Sequence, residues 1–222
     1  MPARSVLDEL HRRRQQGIQR AVGAGLGVLL RAMPSLDEES LAFYVDGAYP
    51  IVAGGQTTAG ETAAGYIGVI AAARARAREQ RHRLRRPPDV LAALTRSGVL
   101  VQPDSRSLVA PVLRARALEA DGMAAPAALE AASSYADALA SNAMQAAQRV
   151  GLGEGAAANG LEVDGWRKQL GPGACSWCNA IANGVYADPD AVPYHDNERC
   201  GVEPELDDAD TNYVYDDSDI PF

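Results

Sequence analysis

The first two thirds of the chain are rich in alanine and are divided by glycine and proline at helix-length intervals, which constrains the fold more than any other feature. Three times in this region a Ser or Thr is followed three residues later by an acid, the pattern of a helix capping box. The pairs are Ser5 with Asp8, Ser35 with Glu38, and Thr58 with Glu61. They predict helices that begin near residues 6, 36 and 59.

Prolines and glycines set the predicted ends of these helices. The first helix should stop before Pro34 and the third before Pro87, because proline removes a backbone donor and restricts the preceding residue. Two further helices follow, one closed by Gly122 and one running from Pro126 to Gly151. The last helix carries one apolar face, predicted to be core or an oligomer contact: Leu129, Ala132, Ala136, Leu139, Ala143, Ala147 and Val150.

The composition changes after residue 150. The stretch GLGEGAAANG is flexible by composition, and the final residues carry too few apolar side chains to fold alone. We therefore predict a mainly α protein with an alanine-rich helical body. The predicted parts are a helical body (1–150), a flexible linker (151–164), a small Cys/His knuckle (165–201) and an extended acidic tail (202–222).

Charge and cysteine content limit the class of protein. The net charge is -8, of which residues 196–222 contribute -9, since they hold ten acids against Arg199. A nearly neutral body with an acidic tail argues against general coating of nucleic acid. Three cysteines are too few for an extracellular disulfide framework, and the apolar runs 21–30 and 63–73 are too short to cross a bilayer. No membrane association is expected.

Four arginines lie on one face of the predicted third helix. Arg74, Arg78, Arg81 and Arg85 recur at helical spacing and form a stripe about 16 Å long. Such a stripe suits DNA phosphates or an acidic protein surface, although a solvated face is the simpler interpretation. Twenty of the twenty-one basic residues are arginine, so single arginines carry little information.

The segment from Gly173 to Gly201 holds every cysteine of the chain and carries its chemistry. Cys175 and Cys178 form a C-x-x-C pair, and His195 and Cys200 follow after a loop. Two thiolates from one turn with a later His and Cys are typical of a structural zinc site. Three alternatives stay open: a Cys-His-Asn nucleophile system with Asn197, a thioredoxin-like redox pair, and free thiols.

The motifs of residues 165–200 resemble a known family. The Gly-Trp-Arg entry at Gly165, the sequence GACSWCNAI and the ending YHDNERC are similar to the C-terminal signature of tailed-phage minor capsid proteins. These belong to the Mu F-like head morphogenesis family, and the closest similarity is to those of actinobacterial siphophages. The chain has Asn197 where the signature tends to a second His and Glu198 where it tends to a Cys. Cys200 or Glu198 would then complete the ligand set. The alternative is that metal binding has been lost and only the turn is retained.

The resemblance implies a structural role in head assembly and no enzymatic activity. The implied partners are the portal protein and the major capsid protein, with several copies inside the virion head near the portal and in the host cytoplasm during assembly. The implied site is a structural zinc held by Cys175, Cys178, His195 and Cys200. The alternatives are a thiol-dependent capsid maturation protease, and an internal head protein that contacts DNA through the four arginines.

Overall fold

The structure, a computed structural model, describes residues 3–77, 87–195 and 200–206, without the side chains of residues 3–5 and 77. It is mainly helical, as predicted, with a small two-stranded sheet near the C-terminus. The helices are α1 (Ala3–Ala32), α2 (Glu38–Ala77), α3 (Val90–Arg96), α4 (Arg106–Ala120), α5 (Ala125–Asn159) and α6 (Ser176–Ile181). The strands are β1 (Gly165–Gln169) and β2 (Gly201–Glu205), and Pro189–Ala191 form one turn of 3-10 helix.

The predicted ends of α1, α4 and the start of α5 are confirmed to within a few residues. α1 ends just before Pro34, α4 ends before Gly122 at a φ of +95°, and α5 carries proline in its first turn. α1 begins at Ala3, so Ser5 lies inside its first turn and not before it. Proline and glycine act through the backbone alone, which explains why these ends could be located from the sequence.

α2 corrects the prediction of two separate helices that begin near residues 36 and 59. It is one helix of 40 residues, and its start is capped by Asp37, whose Oδ1 accepts the Ser40 N–H at 2.8 Å. Thr58 caps nothing, because its hydroxyl donates to the Gly54 carbonyl one turn earlier at 2.9 Å. A threonine satisfied in this way stands inside a helix. The capping-box interpretation at Thr58 is therefore wrong.

α5 corrects the predicted flexible linker at 151–164. The helix continues to Asn159 and ends at Gly160, which has a left-handed φ of 60°. A Cβ atom added at Gly151 would lie 2.1 Å from the Gly60 carbonyl oxygen, and one at Gly155 would lie 2.9 Å from the Cα of Ala64. These glycines let α5 approach α2 more closely than any other residue would allow. Tertiary packing thus outweighs their low helix propensity.

The main core lies where α1, α2, α4 and α5 meet. The predicted apolar face of α5 belongs to it, with Leu129, Ala132, Ala136, Leu139 and Ala147 buried and Ala143 and Val150 partly buried. The stretch around Val99 is a loop. Gln56 of α2 holds it by donating to the Val99 carbonyl at 2.7 Å and accepting the Val101 N–H at 2.8 Å.

The antiparallel pair of β1 and β2, called the hairpin below, joins the C-terminal part of the chain to this body. β1 and β2 pair antiparallel, with Gly165 opposite Glu205 and Gln169 opposite Gly201. Trp166 also exchanges two backbone hydrogen bonds of 2.8 Å with Tyr186. A second apolar cluster packs the hairpin against the helices, and its members include Leu7, Tyr66, Ile67, Ile70, Leu152, Trp166, Val192, Val202 and Leu206.

The hairpin also corrects the predicted boundary of the acidic tail. Residues 202–205, placed in an extended tail by their charge, form most of β2. They pair there because Val202 and Leu206 are buried, while Glu205 forms an ion pair with Arg167 of β1. Residues 207–222 lie outside the described residues. Within the described ranges, none of the helices carries an apolar stretch of bilayer-spanning length.

A buried histidine lies between α1, α2 and α5. The His11 ring stacks on Tyr66 with the ring centroids 4.2 Å apart, and its Nε2 lies 3.2 Å from the side-chain nitrogen of Gln148. The Tyr66 hydroxyl donates to Asp8 at 2.6 Å. Burial, with a contribution from Arg14, lowers the pKa of His11 from 6.5 to about 3. The imidazole is therefore neutral in the folded protein at neutral pH.

The lowered pKa of His11 predicts a loss of stability in mild acid. Between its unfolded pKa of 6.5 and its folded pKa of about 3, the unfolded chain binds one proton more, so the free energy of unfolding falls as the pH falls. We expect a loss of about 2 kcal/mol between pH 7 and pH 5 from this group alone. His11→Phe, which keeps the stacking on Tyr66, should remove this slope.

Urea titrations followed by circular dichroism at pH 7, 6 and 5 measure this effect. All other titrating groups are common to the wild type and His11→Phe, so only the difference between the two slopes matters. Identical pH dependence in the two proteins would contradict a neutral, buried His11.

Candidate metal centre

The C-x-x-C pair opens the short helix α6. Gly173, with a φ of +73°, turns the chain into the helix, and Cys175 is the N-cap, with its Sγ accepting the Cys178 N–H at 3.4 Å. Asn179 supports the turn by donating from its side chain to the Cys175 carbonyl at 2.9 Å. Residues three apart lie on the same face of a helix. Both thiols therefore face the same side of α6.

His195 reaches these thiols from the segment after the 3-10 turn. Its Nε2 lies 3.3 Å from the Cys175 Sγ and 3.2 Å from the Cys178 Sγ. The ligand atoms of the three residues lie within 4.8 Å of one another. A tetrahedral zinc with Zn–S of about 2.3 Å and Zn–N of about 2.0 Å separates N from S by about 3.5 Å. The group could thus hold a metal ion after a small outward shift.

Cys200, the fourth predicted ligand, lies beside this group without joining it. The residue precedes β2 and is buried, and its Sγ accepts the Gly171 N–H at 3.5 Å. It is close enough to Cys178 for the two thiols to interact. The structure therefore brings three of the four predicted ligands together and leaves the fourth next to one of them.

The two thiols of the C-x-x-C pair have opposite pKa shifts. The pKa of Cys175 is lowered to about 7, chiefly because its sulfur accepts the backbone N–H of Cys178, with a smaller contribution from His195. The pKa of Cys178 is raised to about 12, chiefly by burial and then by the thiols of Cys175 and Cys200. A buried thiol crowded by others keeps its proton unless a cation replaces it. A metal ion at this position would supply that positive charge.

The alternatives for the cysteines fit this geometry to different degrees. Cys175 and His195 are in contact, as a thiol nucleophile requires, but Asn197 and Glu198 lie outside the described residues. The C-x-x-C pair follows a strand and opens a helix, as in a thioredoxin-like protein. That strand, however, belongs to an antiparallel hairpin and not to a parallel sheet.

Two cations near the site were not predicted from the sequence. Lys168 of β1 donates from Nζ to the Pro193 carbonyl at 2.6 Å, and Arg149 of α5 donates to the Val192 carbonyl at 3.2 Å. Both side chains are buried. The available signal was the presence of a single lysine among twenty arginines. Arg149, one arginine of many, gave no signal.

The arginine stripe is only partly within the described residues. Arg74, near the end of α2, donates from Nη1 to the Glu162 carbonyl at 2.6 Å, so this guanidinium holds the chain between α5 and β1. Arg78, Arg81 and Arg85 lie outside the described residues. The DNA-contact hypothesis thus gains no support from Arg74.

The fold and the site define a helical protein with a small C-terminal unit, made of β1, β2 and the segment between them and called the hairpin unit below. This unit carries a candidate metal-binding group of two cysteines and a histidine. Comparisons of the chain with protein-family models, with curated proteins and with solved structures find no match.

Proposed function

We propose that the chain is a structural assembly protein whose C-terminal hairpin unit is locked internally by one zinc ion. The observation that carries the proposal is the position of a single imidazole nitrogen, 3.3 Å from the Cys175 sulfur and 3.2 Å from the Cys178 sulfur. Two cysteine thiolates combined with a histidine imidazole are typical ligands of zinc. Cys200, beside Cys178, is the proposed fourth ligand.

A structural role for the zinc follows from the supply of ligands. Catalytic zinc sites keep one position open for water or substrate, whereas structural sites are closed by four protein ligands. Three cysteines and His195 provide a closed set, and two of the cysteines are buried. The ion would tie α6 and the His195 segment to the start of β2, across a stretch with few buried side chains of its own.

The proposed setting is the head of a tailed phage. Its support is the resemblance of residues 165–200 to minor capsid proteins, because the residues that carry the resemblance are also those that build the candidate metal group. In this setting the helical body docks on the portal protein and the major capsid protein, and the zinc-locked hairpin unit fixes one end of that body. Several copies are incorporated inside the head during assembly in the host cytoplasm.

A thiol-dependent capsid maturation protease is the second candidate. It is favoured by one observation, the contact between Cys175, whose pKa is lowered to about 7, and His195. A catalytic His activates one nucleophile and is itself oriented by a third group. Here the His195 Nε2 lies as close to the Cys178 sulfur as to the Cys175 sulfur. This position favours a role for His195 as a metal ligand over a role as a general base.

Co-expression with the portal and major capsid proteins of the same genome tests the assembly role. We expect the wild-type chain to sediment with procapsids, and Cys178→Ser to be depleted from them because its hairpin unit is no longer locked. Ser176→Ala, a change in the same short helix, is the matched control and should be incorporated normally. The capsid precursor should remain uncleaved.

Two results would overturn these assignments. A wild-type chain that never sediments with procapsids would refute the assembly role. Cleavage of the capsid precursor that is lost in Cys175→Ser would replace it with the protease.

A further inference from the structure

Lys168 is the one lysine of the chain and lies beside the candidate metal centre. Lys168 is only 3% exposed. It belongs to β1, a strand of five residues. The ammonium donates to the Pro193 carbonyl at 2.6 Å and lies 5.5 Å from the centre of the Trp177 ring. Trp177 stands between the two cysteines in the sequence and contacts the His195 ring edge-on. Lys168 thus connects the helix of the thiols to the segment of the histidine.

Arg149 of α5 contacts the segment before His195 from the side of the helical body. Its guanidinium lies 4.1 Å from the centre of the Tyr194 ring and donates to the Val192 carbonyl at 3.2 Å. Arg149 is 3% exposed. Each of the three residues before His195 is therefore contacted by one of two buried cations.

We propose that Lys168 and Arg149 are positioning residues for His195, holding residues 192–194 so that Nε2 meets both thiols. This inference rests on the proposed zinc site. Groups that orient a metal ligand commonly affect metal affinity about 10- to 100-fold without touching the ion. These two act through backbone carbonyls and the Tyr194 ring.

Charge gives a second reason for a cation at this position. A zinc ion bound by three thiolates and one imidazole carries a net negative charge, and a buried charge is costly unless it is compensated. A lysine ammonium is compact and can lie under one carbonyl, whereas the planar fork of arginine needs more space and more acceptors.

Metal affinity of the full-length chain, measured by competition with a chromogenic zinc chelator, tests the inference. Lys168→Met is expected to bind zinc about 10- to 100-fold more weakly than the wild type. Arg167→Met is the matched control, since Arg167 is the preceding residue of β1, is more exposed and pairs with Glu205 on the other face. Its affinity should be unchanged. Lys168→Arg should recover part of the loss.

The absorption of the cobalt-loaded protein separates positioning from general stability. In Lys168→Met the cobalt spectrum should shift towards that of His195→Ala, because the imidazole is no longer held near the ion. A merely stabilising lysine would leave the spectrum of the bound cobalt unchanged.

A second pair of variants covers the case in which Lys168→Met does not fold. Tyr194→Ala removes the ring under Arg149 from an exposed position, and it should also weaken zinc binding. Tyr135→Ala is its control, because Tyr135 has the same exposure of 44% and lies under Arg114 away from the site.

The outcomes distinguish the inference from the proposed function. Weaker binding in Lys168→Met and Tyr194→Ala, with both controls unchanged, supports the positioning role. If the wild type binds zinc and these variants bind within about twofold of their controls, the inference is overturned and the zinc site stands. If the wild type binds no zinc or cobalt, the proposed site is refuted and the inference falls with it.

Discussion

Removal of the proposed zinc ion is expected to release the segment between β1 and β2 while the long helices keep their structure. Among residues 170–195, the buried side chains are those of Cys178, Pro189 and Val192. So few apolar anchors cannot hold 26 residues, and structural zinc supplies on the order of 10 kcal/mol in small domains. The hairpin strands should stay in place, because Trp166 and Val202 are buried against the helices.

Hydrogen exchange followed by mass spectrometry, with and without a strong zinc chelator, measures this release. We expect protection in α6 and in residues 182–195 to fall by at least about 100-fold on chelation, with little change in α2 and α5. Cys178→Ser should show the same loss without the chelator, and Ser176→Ala should resemble the wild type. Equal protection of α6 before and after chelation would contradict a structural metal.

Gly151→Ala is expected to destabilise the helical body more than any other single methyl addition in α5. The new Cβ would lie 2.1 Å from the carbonyl oxygen of Gly60 and 2.8 Å from its Cα. These are backbone atoms that no rotamer change can move, so α2 and α5 must separate. Overpacking of this kind costs typically 1 to 3 kcal/mol, and we expect about 3 kcal/mol here because backbone meets backbone.

Gly153→Ala is the matched control in the same helix. Its Cβ would have as nearest neighbour the Pro189 side chain at 3.7 Å, an ordinary contact. Alanine is favoured over glycine inside a helix by roughly 0.5 to 1 kcal/mol, so this variant should be slightly more stable than the wild type. Urea unfolding monitored by circular dichroism compares the two. Similar stabilities for both variants would refute the close contact of α2 with α5.

Residues that act on the backbone locally could be interpreted from the sequence, whereas residues that act through a distant partner could not. Pro34, Gly122 and Pro126 act through their own backbones, and the helix limits that they predict are confirmed. Gly151 was predicted to end a helix, which is wrong, because it lies inside α5 against Gly60 of α2. Their low helix propensity is a local property, whereas their function is to let two helices approach, which depends on a partner 91 residues away.

The same difference between local and long-range effects applies to the candidate site. The spacing of Cys175 and Cys178 identified the two thiols, since a short turn is enough to bring them together. The approach of His195 depends on Arg149 of α5 and Lys168 of β1, which no spacing rule connects to it. β2 was missed because its charge resembles that of the acidic tail. Only its pairing with β1 and the burial of Val202 reveal it as a strand.

Metal content by native mass spectrometry tests the central claim most directly. The full-length protein, purified without chelators and exchanged into buffer with a slight excess of zinc, should carry one zinc ion per chain. Cys175→Ser combined with Cys178→Ser should carry none, whereas Ser176→Ala should bind as the wild type does. A wild-type chain that stays free of metal under these conditions would contradict the account.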